Sequence, residues 1–193
     1  MDIKSYIKSS ISTKEQILFD ETIVKTIEEI ASSIVNAYKN GCKVLTAGNG
    51  GSAGDAQHIA GELVSKFFFD RPGLSAFSLA TDTSILTAIG NDYGYEKTFS
   101  RQIQANAHKG DVFIAISTSG NSKNIIMALE EAKKKGVITV GFVGQKTCEM
   151  DKYCDYIIHV PSVSTPTIQE SHIMIGHIIC ALVEETMFDK VGV

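Results

Sequence analysis

Two short loops carry residue types that could hold an anion. The first reads Gly48-Asn49-Gly50-Gly51-Ser52-Ala53-Gly54 and the second Ser117-Thr118-Ser119-Gly120-Asn121-Ser122. Each follows a short apolar run and leads into a segment of helical pattern. Free backbone N–H groups and the dipole at a helix start favour an anion there. Hydroxyl groups add donors, and glycine lets the backbone come close. Neither loop ends in the Gly-Lys-Ser/Thr of a P-loop. Gly48, Gly50 and Ala53 match a loose dinucleotide spacing, but the acidic partner would have to be Asp82, well beyond the usual offset of about 20 residues. A nucleotide would also leave the second loop without a role. Either loop alone could be a turn with a good helix cap. Together, at equivalent strand ends, they are better explained by one small phosphate-bearing ligand and no nucleotide cofactor.

The ionisable side chains that could act on such a ligand fall in two places. His58 and Glu62 stand at i and i+4, on one face of the helix that follows the first loop. A pair of this kind is either a surface hydrogen bond or part of a site. The C-terminal segment carries Gln169, Glu170, His172 and His177 among Ile168, Ile173, Met174, Ile175, Ile178 and Ile179. Polar groups in so apolar a stretch need partners. His177 can be read as a satisfied core histidine or as a ligand. Two histidines, a glutamate and an amide would suit zinc, although the spacing is not diagnostic. Asn91 and Asp92, within Gly90-Asn91-Asp92-Tyr93-Gly94-Tyr95, suit a turn as well as a ligand contact.

The elements that must position these groups follow from the apolar pattern. Short β-branched runs at 43–47, 74–80, 111–117, 137–143 and 155–160 alternate with helical lengths. Their continuous apolar character predicts a sheet covered on both faces, and strand–helix succession predicts parallel pairing. The expected fold is a three-layer α/β sandwich with a five-stranded parallel sheet of flavodoxin-like type, as one domain over 1–193. Residues 1–40 form a helical extension to an α/β core over 41–193. In that extension Ile3, Tyr6, Ile7 and Ile11 suggest a short amphipathic piece. A second helix is expected to open on a Thr13/Gln16 capping box and end at Gly41. A long helix from about Ile168 to Phe188 is expected to close the chain. Ligands of open α/β sheets bind beyond the strands' carboxyl ends, which is where both loops fall.

Composition narrows the partners. The chain has 193 residues, 44% hydrophobic and 21% charged, with a formal net charge of −4. The densest cationic run, Lys133–Lys135, ends a helical segment and reads as a solvated helix terminus, so no nucleic acid is expected. No apolar run reaches 18 residues, so no membrane span is expected. Cys42, Cys148, Cys154 and Cys180 lack zinc or redox spacing, and reduced thiols with a charged N-terminus point to the cytoplasm.

The two loops, His58 with Glu62, the Gly90–Gly94 motif and Gln169-Glu170…His177, in this order, closely resemble the phosphoheptose isomerases of the sugar isomerase (SIS) domain superfamily. The resemblance runs over essentially the whole chain. The Ser-Thr-Ser-Gly loop alone would indicate only the wider phosphosugar-binding group. It implies an aldose–ketose isomerase that interconverts sedoheptulose 7-phosphate and D-glycero-D-manno-heptose 7-phosphate. That is the first step toward ADP- or GDP-heptose for lipopolysaccharide or capsule. It also implies a homotetramer with interfacial active sites and, in at least some members, zinc. Asn49, Gly50, Gly51, Asn91 and Asp92 would contact the sugar, and Ser117, Thr118, Ser119 and Ser122 the phosphate. His58, Glu62, Gln169 and His177 would ligate metal or transfer protons. Many relatives carry an arginine just before the Ile-Gln pair, where this chain has Thr167.

Isomerisation needs a base beside a carbonyl and an acid near neutral pH, so Glu62 is assigned the carbon-bound proton and His177 the oxygens. Gln169 and His177 lie eight residues apart, about 12 Å along a helix. A ligand from a neighbouring subunit would relieve that stretch. The alternatives are a non-enzymatic adaptor of the replication-initiator-associating type and a phosphosugar sensor. Joint presence of His58, Glu62, Gln169 and His177 favours the enzyme.

Overall fold

The structure, a computed structural model, describes residues 2–190. Its centre is a parallel sheet of β1 (Val44–Gly48), β2 (Ala76–Ser78), β3 (Val112–Ile116), β4 (Ile138–Val143) and β5 (Tyr156–His159). The strands lie in the order β2-β1-β3-β4-β5. This is the expected doubly wound arrangement, and its order reverses between β1 and β3.

The strands read as unbroken apolar runs because both faces are covered. Val44, Val112, Ile114, Ile116, Val140 and Phe142 point into one core layer. Their neighbours Leu45, Ala47, Phe113, Ala115 and Val143 point into the other. On the first face lie α2 (Glu21–Lys39), α3 (Gly51–Val64) and α7 (Thr165–Phe188), and on the second α5 (Ser100–Asn106) and α6 (Lys123–Lys134). Between β2 and α5 runs α4 (Thr83–Tyr93).

Three expectations are corrected. The N-terminal helices divide at Asp20: α1 spans Ile3–Phe19, and the Asp20 carboxylate accepts from Thr22 N and Ile23 N to cap α2. An aspartate between two helices is a stronger stop-and-start signal than the Thr13/Gln16 box, because a carboxylate satisfies two orphan N–H groups at once. Thr13 instead sits inside α1, its hydroxyl donating to Ser9 O at 3.2 Å. Second, α7 starts at Thr165, three residues earlier than expected, with Pro166 in the first turn, where its missing N–H costs nothing. Third, Asn91 and Asp92 are the exposed last turn of α4, not a free turn after it. The reversal comes at Gly94, at φ +90°.

By length and composition α7 could cross a membrane, but Ile168, Ile175, Ile179 and Val183 are buried in the core. Cys148 and Cys180 are buried, Cys42 and Cys154 partly so, and all four are free thiols. Burial pushes the Cys154 and Cys180 thiols up to about 12. Lys133 and Lys134 close the last turn of α6.

Candidate active site

The two loops start side by side. Gly48, the last residue of β1, pairs with Ile116, the last of β3, so Asn49 and Ser117 leave the sheet at the same level. At Gly48 a Cβ would overlap Ser52 of the following turn, and Gly50 takes φ +58°. Only glycine fits that tight a strand-to-helix reversal.

The helices that follow β1, β3 and β5 are capped differently from α1, α2 and α4. Asp2, Asp20 and Asp82 cap α1, α2 and α4 with their side chains. Among the described residues, the starts of α3, α6 and α7, at Gly50, Ser122 and Ser164, have no side-chain cap bond. In α6 the capping hydroxyl is turned away, Ser122 Oγ lying 3.0 Å from Ser117 Oγ. Ser117 Oγ is also 3.5 Å from Ser119 Oγ. The result is a ring of hydroxyl groups over open helix N–H groups, suited to phosphate oxygens.

Beside that ring lies a cleft of about 340 Å³ lined by Thr118, Ser119, Gly144, Lys146, Ser162 and Ile168, among others. Lys146 brings a cation to it. Sequence reasoning missed Lys146, although it lies three residues beyond β4 and the strand-end rule points there.

The first loop is held by an amide pair also missed in the sequence. Asn124, 3% exposed, donates to Asn49 Oδ1 at 2.8 Å and accepts from Asn49 Nδ2 at 2.9 Å. The Tyr95 hydroxyl donates to the same Asn49 oxygen at 2.8 Å. Asn124 opens α6 directly after the second loop, so this pair ties the loops together. Nothing in residue type or spacing signals such a cross-loop partner.

His58, Glu62 and His177 come together as a cluster. His58 Nε2 lies 3.0 Å from His177 Nε2 and 3.0 Å from Glu62 Oε1. One donor atom from each of the three residues lies within 4.8 Å of the others. The cluster exists because α3 and α7 run in the same direction in matched register. Gln169 lies against Gly51, where a Cβ would come within 2.6 Å of its Nε2. Further along, His177 meets His58, and Cys180 Sγ donates to Ile59 O.

Gln169 therefore sits at the first loop, about two turns up α7 from His177. Within one chain the four expected metal residues divide into three plus one. His177 is not the core histidine of α7. That place belongs to His172, which is fully buried with Nε2 3.1 Å from Val143 O and, among the described residues, no hydrogen-bond partner on Nδ1. Burial lowers its pKa to about 4. Thr167 is buried too, its hydroxyl donating to Ser164 Oγ at 3.2 Å.

Asp55 is a further ionisable group on the same stripe of α3. Burial raises the pKa of its carboxyl against the pull of His58, and its Oδ2 has no partner among the described residues. It lies one turn from both Gly51 and His58. Asn91 and Asp92 are exposed at the end of α4, the Asn91 amide donating to Asp92 Oδ1 at 2.7 Å.

A family model described as SIS domain matches residues 5–144. A phosphoheptose isomerase of Aneurinibacillus thermoaerophilus is 65% identical over 96% of the chain and 94% of its own length. One from Campylobacter jejuni, phosphoheptose isomerase 2, is 61% identical over 97% and 94%. The solved structure of a phosphoheptose isomerase from Francisella tularensis superposes with a TM-score of 0.91 at 34% identity, covering 95% of this chain and 96% of that one.

Proposed function

Since the chain belongs to the phosphoheptose isomerases of the SIS-domain family, we propose that it interconverts sedoheptulose 7-phosphate and D-glycero-D-manno-heptose 7-phosphate, supplying heptose for lipopolysaccharide or capsule. The observation that carries the reading is the His58–Glu62–His177 cluster on two helices that begin at the phosphate-ready end of the sheet.

The phosphate is taken by Ser117, Thr118, Ser119 and Ser122 with the start of α6. Asn49, Gly50, Gly51 and Gln169 hold the sugar, joined by Asn91 and Asp92. Glu62 removes the proton from the carbon beside the carbonyl and returns it to the adjacent carbon, through an enediolate. His177 moves the accompanying proton between the two oxygens, and atoms balance without any outside reagent.

Two imidazole nitrogens and a carboxylate oxygen within 4.8 Å of one another form a donor set that fits zinc. His58, Glu62 and His177 would hold it, with Gln169 as a fourth ligand brought from a neighbouring subunit. When bound, the ion would polarise the substrate carbonyl.

The chain is read as a single SIS domain over 1–193 that works in the cytoplasm as a homotetramer. Support for assembly comes from α1, where Ile3, Ile7, Ile11 and Leu18 are exposed along the helix. Isolated apolar residues are ordinary on a surface, but a stripe of this kind marks an interface.

The test is incubation of purified protein with sedoheptulose 7-phosphate, with and without a chelator, followed by NMR. Aldose signals are expected, and weaker ones with chelator. No conversion in either arm would replace the enzyme with the adaptor reading.

A further inference from the structure

We propose that the buried ion pair of Arg71 and Glu184 is the positioning device of the His58–Glu62–His177 cluster, locking α3 and α7 at the one axial register where the three side chains meet. The proposal rests on the isomerase reading above.

The pair lies just below the cluster and is sealed from water, with Arg71 2% and Glu184 0% exposed in their side chains. Arg71 Nε donates to Glu184 Oε1 at 2.9 Å. The rest of the guanidinium closes the end of α3: Nη2 donates to Glu62 O at 2.9 Å, and Nη1 donates to Leu63 O at 2.7 Å and Ser65 O at 3.0 Å. Carbonyls in a helix's last turn have no partner within the helix, and a cation there is also attracted to the negative end of the dipole. One of those carbonyls belongs to Glu62, the assigned base.

Glu184 binds the other side. Its carboxylate accepts from Phe67 N at 2.7 Å and Phe68 N at 2.6 Å, on the segment that follows α3. Burial works to raise its pKa, but these N–H groups and Arg71 outweigh it and keep the carboxyl below its ordinary range. Glu184 is seven residues beyond His177, about two turns, so both stand on one face of α7. Phe67 completes the link: its N–H is held by Glu184, and its ring centroid lies 5.6 Å from that of His177. The ion pair thus grips the backbone of one cluster residue and the packing of another.

Stability alone is a weak reason for such a pair, because a well-packed apolar filling often serves a fold as well or better. Geometry is the stronger reason. Groups that share an ion or a proton must be held to about 0.5 Å, and partners outside the first ligand layer supply that order.

The test compares wild type with R71K and with the double variant R71M/E184L. Lysine keeps the charge but cannot span Glu184 and three carbonyls at once. The double variant fills the space without charge. Folding is followed by circular dichroism and thermal unfolding, and the core variant Phe113→Leu serves as a control of destabilisation alone. Zinc affinity is measured by competition with a chromophoric chelator, and kcat and KM on sedoheptulose 7-phosphate.

The expected result is folded protein with zinc affinity and kcat each lowered about 10–100-fold, and KM within about threefold because the phosphate loops are untouched. Wild-type zinc affinity and kcat in folded R71K would overturn the proposal. So would an equal loss in the Phe113→Leu control, or failure of both variants to fold. If wild type itself binds no zinc and ignores a chelator, the metal part of the functional reading falls. The split between kcat and KM then still decides for or against Arg71 and Glu184.

Discussion

At the scale of single residues, Glu62 and His172 illustrate two uses of an ionisable group. Glu62 Oε1 lies 3.0 Å from His58 Nε2, and its side chain is partly exposed. Glu62→Gln keeps the shape and removes the proposed base, so turnover should fall by about 10²–10⁴. Phosphosugar binding, read by calorimetry, should persist; full turnover in this variant would remove Glu62 from the mechanism.

His172 is held neutral. Its pKa is near 4 in the folded chain against an ordinary 6.5, so the unfolded chain binds a proton that the folded one refuses. Stability is intact above about pH 6.5 and drains as pH falls toward 4, by at most about 3 kcal/mol. Urea unfolding across this range should show a shallower pH dependence for His172→Gln than for wild type. Equal slopes would show that His172 contributes no such proton.

At the scale of elements, the junction of α3 with α7 brings the candidate site together. Gly51 opens α3 in the space that Gln169 occupies. Gly51→Ala gains helix propensity but pushes Gln169 aside. The variant should match or exceed wild-type thermal stability while kcat/KM drops roughly 10–100-fold, the cost of about 1 Å of misplacement. Unchanged kinetics would mean that the position of Gln169 against Gly51 does not matter.

The elements themselves were largely legible. Four of the five strands lie within the apolar runs read from sequence, and β1 passes its run by the single residue Gly48, because burial on both faces leaves an unmistakable composition. Their ends were not, since runs such as 74–80 continue past the last ladder partner and β2 keeps only Ala76–Ser78. The division of α1 from α2 was misplaced because a capping-box spacing at Thr13 competed with a single aspartate at Asp20.

At the scale of the whole molecule, α1 rests on the body through few contacts, among them Lys14 Nζ to Glu170 Oε1 at 2.9 Å. Glu170 adjoins Gln169, so in the proposed assembly a partner on α1 would be linked to the site. Replacing Ile7 and Ile11 together by lysine should leave the monomer folded, as both are exposed. It should convert the proposed assembly to smaller species by light scattering. A variant that kept the wild-type mass would show that this stripe is not the interface.

Residue type and order by themselves determined the parallel α/β class, the two anion-ready loops and the chemical identities of His58, Glu62, Gln169 and His177. These follow from local rules, in which apolar runs, glycine and hydroxyl groups carry their meaning wherever they occur. Tertiary structure decided which of those groups meet. His58 and His177 are 119 residues apart, and only the common direction and register of α3 and α7 bring their nitrogens to 3.0 Å. The same packing set Gln169 two turns away, buried His172 in place of His177, and closed the base of the cluster with Arg71 and Glu184. None of these follows from spacing, because helix-to-helix register is fixed by side chains remote in sequence.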